Sequence, residues 1–294
     1  MAPYSEPSRV GEGSARKAWA GVLAWPYPDR SGKPRRFGRT MVIDKGLGLT
    51  DTRDLMELGA DYVDYVKLTF GTSAFYPAAL LRRKIALVRQ AGVEIFPGGT
   101  FLELAALQGK LEAFLDRAAE LGFTGIEVSD GTVRMDPRAR RAAIQRARRW
   151  GFRFVLSEVG KKDPRDRVPT MALWEQVERD LEAGADLVIV EGRESGAGVV
   201  IYDAQGAIID QEVEALVTHV SDPRRLLWEA PRKHQQQELI ARFGPDVNLG
   251  NVHPEDVLAL EALRVGLRAD TLRRWIAEAA GRGEVAEGDI LPGP

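Results

Sequence analysis

Short apolar runs alternate with amphipathic segments eight times between Thr40 and Arg264, and this rhythm constrains the fold more than any other feature. Clusters of β-branched and aromatic residues bounded by turn residues predict strands. They fall at Thr40–Asp44, Tyr62–Leu68, Val93–Pro97, Gly125–Val128, Arg153–Ser157, Ala185–Val190, Leu226–Trp228 and Val247–Leu249. Helices are predicted at Thr52–Leu58, Pro77–Ala91, Phe101–Leu121, Pro137–Trp150, Met171–Ala183, Gln211–His219, Gln235–Phe243 and Pro254–Arg264. In the third of these, Leu111, Phe114, Leu115, Ala118 and Leu121 recur at the spacing of one helix face. Stops such as Ala91–Gly92, Leu121–Gly122, Trp150–Gly151 and Ala183–Gly184 put a glycine where a helix ends and hands over to a strand.

Eight consecutive β-α units predict an α/β fold, the (β/α)8 TIM barrel, which typically takes ~250 residues. A doubly wound open sheet is the competitor, but it seldom shows eight regular units and favours a glycine-rich first turn. Neither a GxGxxG nor a Walker sequence is present. After the sixth strand, Val199–Tyr202 and Ala207–Asp210 flank Asp203–Ala204–Gln205–Gly206 and predict an inserted β-hairpin, either a lid or an ordinary surface ribbon. The barrel is assigned residues 37–270. Residues 1–36, rich in Pro, Gly, Ser and Arg, read as a poorly ordered arm that Trp19, Trp25 and Tyr27 would pin. Residues 271–294 read as a C-terminal helix and tail.

Composition narrows the chemistry. The chain has no cysteine, which excludes disulfides, thiolate metal sites and cysteine nucleophiles. Any metal must sit on oxygen ligands or on His219, His234 or His253, and oxygen-rich sites favour magnesium, calcium or manganese. A net charge of −2 gives no global field for nucleic acid. No apolar run reaches the ~20 residues a bilayer span needs, and the Trp-rich WAGVLAW segment is too brief for a secretory signal. A cytoplasmic protein without membrane or nucleic-acid partners is expected. No GxSxG elbow supports serine-hydrolase chemistry.

In such a barrel the loops after the strands form the active face. The stretch Phe152–Lys162 ends an apolar run in Glu158, Gly160, Lys161 and Lys162, so one strand delivers both charge signs to that face. Asp44–Lys45, Glu191–Arg193–Glu194 and Glu229–Arg232–Lys233 repeat the pattern. The chain uses 32 arginines but only nine lysines, and five of these (Lys45, Lys67, Lys161, Lys162 and Lys233) fall at or just beyond strand ends. An ammonium can give up a proton, whereas a guanidinium cannot in practice. Glu158, Glu191 and Glu229 come from three strands and would repel one another unless a cation joined them; with Asp44 they are the expected magnesium ligands. Asp130 and Glu194 read equally well as helix N-caps. Gly98–Gly99–Thr100 and Gly250–Asn251 offer backbone N–H groups near helix starts, where phosphate or carboxylate binds. His253 reads as a cap neighbour, and His219 and His234 lack metal-ligand spacing.

With these residues laid out, the chain resembles phosphosulfolactate synthases from about Arg39 to Thr271. The matching stretches are DKG (Asp44–Gly46), DYVDYVK (Asp61–Lys67) with FGTSA, PGGT (Pro97–Thr100), EVSDG (Glu127–Gly131), SEVGKK (Ser157–Lys162), GADLVIVEGRESG, WEAPRKHQQ, VNLGNV and GLRADT. The resemblance implies a (β/α)8 barrel and a magnesium-dependent carbon–sulfur lyase that adds sulfite to phosphoenolpyruvate, giving 2-phospho-3-sulfolactate. It also implies a homo-oligomer, and a general acid in the EVGKK stretch, hence Lys162 or Lys161. The residues themselves assign Lys45, Lys67, Arg193 and Lys233, with Gly98, Gly99 and Asn251, to the anionic substrates. A lysine of depressed pKa is expected as proton donor. The product's use, as a precursor in coenzyme M biosynthesis or in another route of sulfonate metabolism, stays open. The family also includes plant heat-stress-associated proteins, so a non-catalytic stress or interaction protein is a second reading. A Schiff-base aldolase using Lys67 or Lys161 is a third.

Overall fold

A computed structural model describes residues 17–166 and 168–282. It contains eight parallel strands: β1 (Thr40–Asp44), β2 (Tyr65–Leu68), β3 (Glu94–Pro97), β4 (Gly125–Val128), β5 (Phe154–Val159), β6 (Leu187–Val190), β7 (Leu226–Glu229) and β8 (Leu249–Val252). Ten α-helices lie among the described residues: α1 (Leu49–Gly59), α2 (Ala78–Gln90), α3 (Gly99–Leu107), α4 (Leu111–Leu121), α5 (Pro137–Arg149), α6 (Thr170–Ala183), α7 (Asp210–His219), α8 (Lys233–Phe243), α9 (Val257–Arg264) and α10 (Ala269–Gly281). The strand order is β3-β2-β1-β8-β7-β6-β5-β4. The seam between the two end strands is bridged at Thr124, whose backbone N–H donates to Ile95 O (3.0 Å) and whose hydroxyl accepts from Ile95 N (2.9 Å). The result is a nearly closed (β/α)8 barrel, as the eightfold rhythm predicts.

Successive side chains on a strand point to opposite faces. Inside the barrel Met41, Tyr65, Phe96, Phe154, Leu156, Leu187, Ile189 and Leu227 form one buried cluster. Its aromatic heart is the Tyr65–Phe154 pair (4.9 Å between centroids) with Phe96 edge-on to Phe154 at 5.6 Å. Gly125 must be glycine here, because a Cβ would lie 2.2 Å from the Phe154 ring. Two residues further toward the C-terminal end of each strand, the inward positions become Lys67, Glu127, Glu158, Glu191 and Glu229. The period of two therefore stacks a layer of charge directly on the apolar plug. Burying a large apolar side chain contributes ~1.5–3 kcal/mol, so the plug helps offset the cost of the charged layer above it. The larger apolar layer, outside the barrel, seals the helices to the strands.

Several boundaries differ from expectation, three of them for a clear local reason. β5 runs on to Val159, so Glu158 projects from within the strand. β8 begins at Leu249, where the predicted strand ended, and runs on to Val252, because its polar Gly250 and Asn251 hide it from a hydrophobicity reading. Gly250 faces inward, where a Cβ would come within 2.5 Å of Leu227 and 2.7 Å of Met41. The helix expected over Phe101–Leu121 is broken at Gly109, whose φ of 66° is left-handed. The predicted hairpin reduces to a single antiparallel bridge, Tyr202 to Ile208, folded back against the barrel. Tyr202 is buried and its hydroxyl donates to Glu229 O (2.8 Å), so this insert braces the end of β7.

Part of the arm expected over 1–36, residues 1–16, lies outside the described residues, as does 283–294 of the tail. From Tyr27 on, the segment lies against the barrel. Arg30 pairs with Asp246 (2.9 Å) and Glu261 (3.1 Å), and the buried Arg35 pairs with Asp64 (3.3 Å). Among the described residues no helix is long and apolar enough to cross a membrane.

Candidate active site

The C-terminal ends of the strands surround a cavity of about 300 Å³, within the size range of small-molecule sites. Its polar lining comes from β2 (Lys67), the turn into α3 (Gly98, Gly99, Thr100), β5 and the loop after it (Glu158, Lys162), the end of β6 (Glu191, Arg193), β7 (Glu229) and β8 (Asn251). Seven elements thus deliver one group each or more to a single mouth, and both charge signs meet there.

Lys67 is the hub. Its ammonium lies 2.9 Å from Glu127, 2.9 Å from Glu158 and 3.1 Å from Glu229, all four side chains being buried. Burial works against this ammonium, yet Glu127, Glu158, Glu229 and Glu191 outweigh it and hold the proton well above the usual lysine range. Lys162 is the second cation. It reaches over the mouth to Glu158 (3.0 Å), Glu191 (3.6 Å) and the Thr100 hydroxyl (2.9 Å). Burial again opposes its charge, and Glu158 and Glu191 again win, so its pKa is raised. The expected depressed lysine is thus corrected: the carboxylates that make the pocket polar also lock its ammonium groups in the protonated form.

The four glutamates do not share one environment. Burial raises the pKa of Glu127, Lys67 pulls it back in part, and the balance leaves it at about 8. Burial, Glu158 and Glu229 push Glu191 well above the carboxylate range. Glu158 goes the other way: burial is overcome by Lys162 and Lys67, which hold it well below. Backbone donors complete the shell. Gly99 N donates to Glu127 (2.8 Å), Gly192 N to Glu229 (3.0 Å) and Arg193 N to Glu191 (2.7 Å). This last bond goes with a left-handed Arg193 (φ 60°), a conformation a non-glycine residue adopts at a cost. At Gly160 (φ 115°) the chain turns so that Lys161 and Lys162 part company; a Cβ there would sit 2.5 Å from Val200.

Glu158, Glu191 and Glu229 each offer a carboxylate oxygen within 4.8 Å of the others. Glu158 Oε1 and Glu191 Oε2 are buried and face the Lys162 ammonium at 3.0 and 3.6 Å. Three clustered carboxylates are the hard oxygen donors a magnesium ion selects, so these residues fit one.

Four of the expected site residues, Asp44, Lys161, Lys233 and Lys45, do not line the cavity. Asp44, expected among the metal ligands, pairs with the buried Lys84 (2.5 Å) and caps Gly46 N and Leu47 N (2.8 Å each), which uses up its carboxylate in closing the loop after β1. Lys161 turns away to Asp130 (3.0 Å). Lys233 is on the outside with Asp270 (2.6 Å). Lys45 stands exposed near the mouth, paired with Glu194 (2.7 Å). Gly98, Gly99, Arg193 and Asn251 do line the cavity. Glu127, which joins the charged layer through Lys67 (2.9 Å), is the member of the cluster that sequence reasoning missed. Counting in twos from Gly125 puts it on the inward face of β4, where it pairs in register with Leu156. The histidines stay out of the carboxylate set: His219 stacks on Trp174 and His234 bonds to Gly206 O.

These environments fix a pH dependence. A carboxyl whose folded pKa is raised binds its proton more tightly folded than unfolded. Glu127 therefore contributes stability that is full below its ordinary 4.5 and is lost as pH rises toward about 8, and Glu191 acts in the same direction. Glu158, with its pKa depressed, has the opposite sign and acts only at acid pH. Denaturant melts of the ion-free protein at pH 5 and pH 8 should show this fall, and Glu127→Gln should flatten it. A wild-type profile flat over that range would contradict the assignment.

Comparison with known proteins gives a consistent picture. The pattern of the (2R)-phospho-3-sulfolactate synthase (ComA) family matches residues 28–270. A phosphosulfolactate synthase of Methanothermobacter thermautotrophicus is 46% identical over 248 residues, 83% of this chain and 95% of that protein. One from Methanocaldococcus jannaschii is 41% identical over 237 residues, 80% and 93% of the two chains. Protein HEAT-STRESS-ASSOCIATED 32 of Arabidopsis thaliana is a distant relative, 22% identical over 264 residues and covering 80% and 88%. Among solved structures, 3-hexulose-6-phosphate synthase from Salmonella typhimurium superposes with a TM-score of 0.51 at 15% identity, over 78% of this chain and 100% of that one, which speaks to the barrel alone.

Proposed function

The chain belongs to the (2R)-phospho-3-sulfolactate synthase family, and on that premise we propose that it adds sulfite to phosphoenolpyruvate with Lys162 as proton donor and Glu158, Glu191 and Glu229 as a magnesium site. The observation that carries the mechanism is the meeting of two locked ammonium groups and a three-carboxylate set in one small cavity.

Sulfite attacks C3 of phosphoenolpyruvate through sulfur. The C2–C3 π electrons move into the carboxylate, giving an enediolate-like anion, and a proton then adds at C2. Every species on this path is multiply anionic, so the enzyme's task is to hold negative charge. A magnesium ion on Glu158, Glu191 and Glu229 would supply concentrated positive charge for that purpose when bound. The chain's own residues do the rest. Lys67 fixes the carboxylates in place. Arg193 lines the cavity and suits phosphate and sulfite oxygens, whereas the Gly98 and Gly99 N–H groups are given to Leu68 O (2.9 Å) and Glu127 (2.8 Å). Lys162 enters the cavity from the loop after β5, beside Glu158, where it can deliver a proton to C2. Its raised pKa keeps it loaded at neutral pH. A carbanionic C2 is far more basic than an amine, so the transfer is downhill even from a tightly held ammonium.

The Schiff-base reading asks for a neutral amine, and the carboxylates around Lys67 oppose one, while Lys161 is turned out of the cavity. The non-catalytic reading draws support only from the more distant plant relative. The deciding experiment is product formation from phosphoenolpyruvate and sulfite, followed by phosphorus NMR with magnesium and with a chelator. Product that appears with magnesium and vanishes on chelation is expected. No product with both substrates and magnesium would sink the proposal and favour the stress-protein reading.

A further inference from the structure

We propose that Glu103 is a positioning residue that sets where the Lys162 ammonium sits. The inference rests on the reading of Lys162 as proton donor. Glu103 projects from α3 and is completely buried, yet no cation pairs with it among the described residues. Taking a carboxylate out of water is expensive unless its lone pairs are filled. Here four donors fill them: the Ser129 hydroxyl (2.5 Å) and Gly131 N (3.1 Å) on Oε1, and Thr132 N (2.9 Å) and Val133 N (2.6 Å) on Oε2. All four belong to the loop that follows β4. One buried carboxylate therefore dictates the path of five consecutive residues.

That loop is the bed on which Lys162 lies. Gly131 O accepts the hydrogen bond of Lys162 N (3.1 Å). The bare face of Gly131 packs against the lysine's methylenes, where an added Cβ would come within 3.2 Å of Cγ and Cε. The preceding residue, Asp130, turns Lys161 out of the cavity through their 3.0 Å pair. From the opposite side α3 touches the ammonium itself, because the Thr100 hydroxyl accepts from Lys162 Nζ at 2.9 Å. Thr100 and Glu103 are three residues apart and so share a helix face. One helix thus fixes both ends of Lys162, its backbone through Glu103 and the loop, and its head through Thr100. Proton transfer is sensitive to displacements of about 1 Å, which cost on the order of a hundredfold.

Glu103→Gln tests this. The variant keeps the shape but replaces one acceptor oxygen with an amide that points N–H groups at backbone N–H groups, so the loop must move. The expected result is a fall in kcat of roughly 10- to 100-fold with KM for phosphoenolpyruvate and sulfite changed less than about threefold. Ser129→Ala, which removes one of the four donors without a charge change, should move kcat the same way by less. It carries the test if the first variant fails to fold. A rise in KM at constant kcat, or normal kcat in the folded variants, would overturn the inference. Lys162→Ala assayed alongside separates the two claims. If that variant is inactive while both others turn over normally, only the role of Glu103 falls; if it remains active, the reading of Lys162 falls and the inference with it.

Discussion

With Lys162 replaced by alanine, turnover from phosphoenolpyruvate and sulfite is expected to fall by a factor of about a thousand or more, while the protein still folds. General acid catalysis by a placed side chain contributes typically 10²–10⁴-fold. Lys162 also supplies one of the two ammonium groups next to the glutamates, so its loss removes charge stabilisation as well as the proton. The fold survives because the side chain is about a third exposed and Glu158 keeps its bond to Lys67 at 2.9 Å. Lys162→Arg separates the two contributions. A guanidinium restores the charge but surrenders no proton at working pH, so substrate affinity should recover while kcat does not. Progress curves for both variants, with melting curves as the folding control, check this. Near-normal turnover in the alanine variant would refute the role.

Much of the barrel was legible in the sequence because its signals are local. Helix stops such as Gly122 and Gly184 and the apolar strand runs each follow from the chain immediately around them. Glu158, Glu191 and Glu229 could be grouped in advance because each closes an apolar run, so strand topology alone carries them to one end. What the sequence hid is long-range pairing. Asp44 looks like Glu158 on paper, and only the fold shows Lys84 arriving from α2 to take its charge. Lys161 and Lys162 are neighbours whose fates diverge at the left-handed Gly160, because Asp130 captures one and Glu158 the other. Glu127 lies inside the strand run Gly125–Val128, so nothing local marks it as one of the acids that meet Lys67. The direction of the lysine shifts was also out of reach, since it depends on how many carboxylates converge on each ammonium.

Lys67→Met should be the most damaging single change to stability, because it removes the cation on which three buried carboxylates converge. Breaking a buried ion pair by deleting one partner typically costs 3–5 kcal/mol, which for a chain of this size lowers the melting temperature by roughly 6–15 °C. Arginine should rescue little. Its flat fork cannot replace a compact ammonium that faces three acids from the bottom of a barrel. The sign with pH follows from the same geometry. Without Lys67, Glu127 loses the cation that pulls its pKa back and Glu158 loses one of the two that hold it down, so these carboxyls take up protons more readily and the deficit against wild type should be largest near pH 8 and shrink toward pH 5. Added magnesium should restore part of the lost stability if Glu158, Glu191 and Glu229 hold the ion, since a bound cation replaces the missing positive charge and favours the folded state by mass action. Denaturant titrations at the two pH values, with and without magnesium, measure all of this together. A loss below about 1 kcal/mol would mean the hub ammonium is screened like a surface pair, and the charge layer above the apolar plug would then need no cation to hold it.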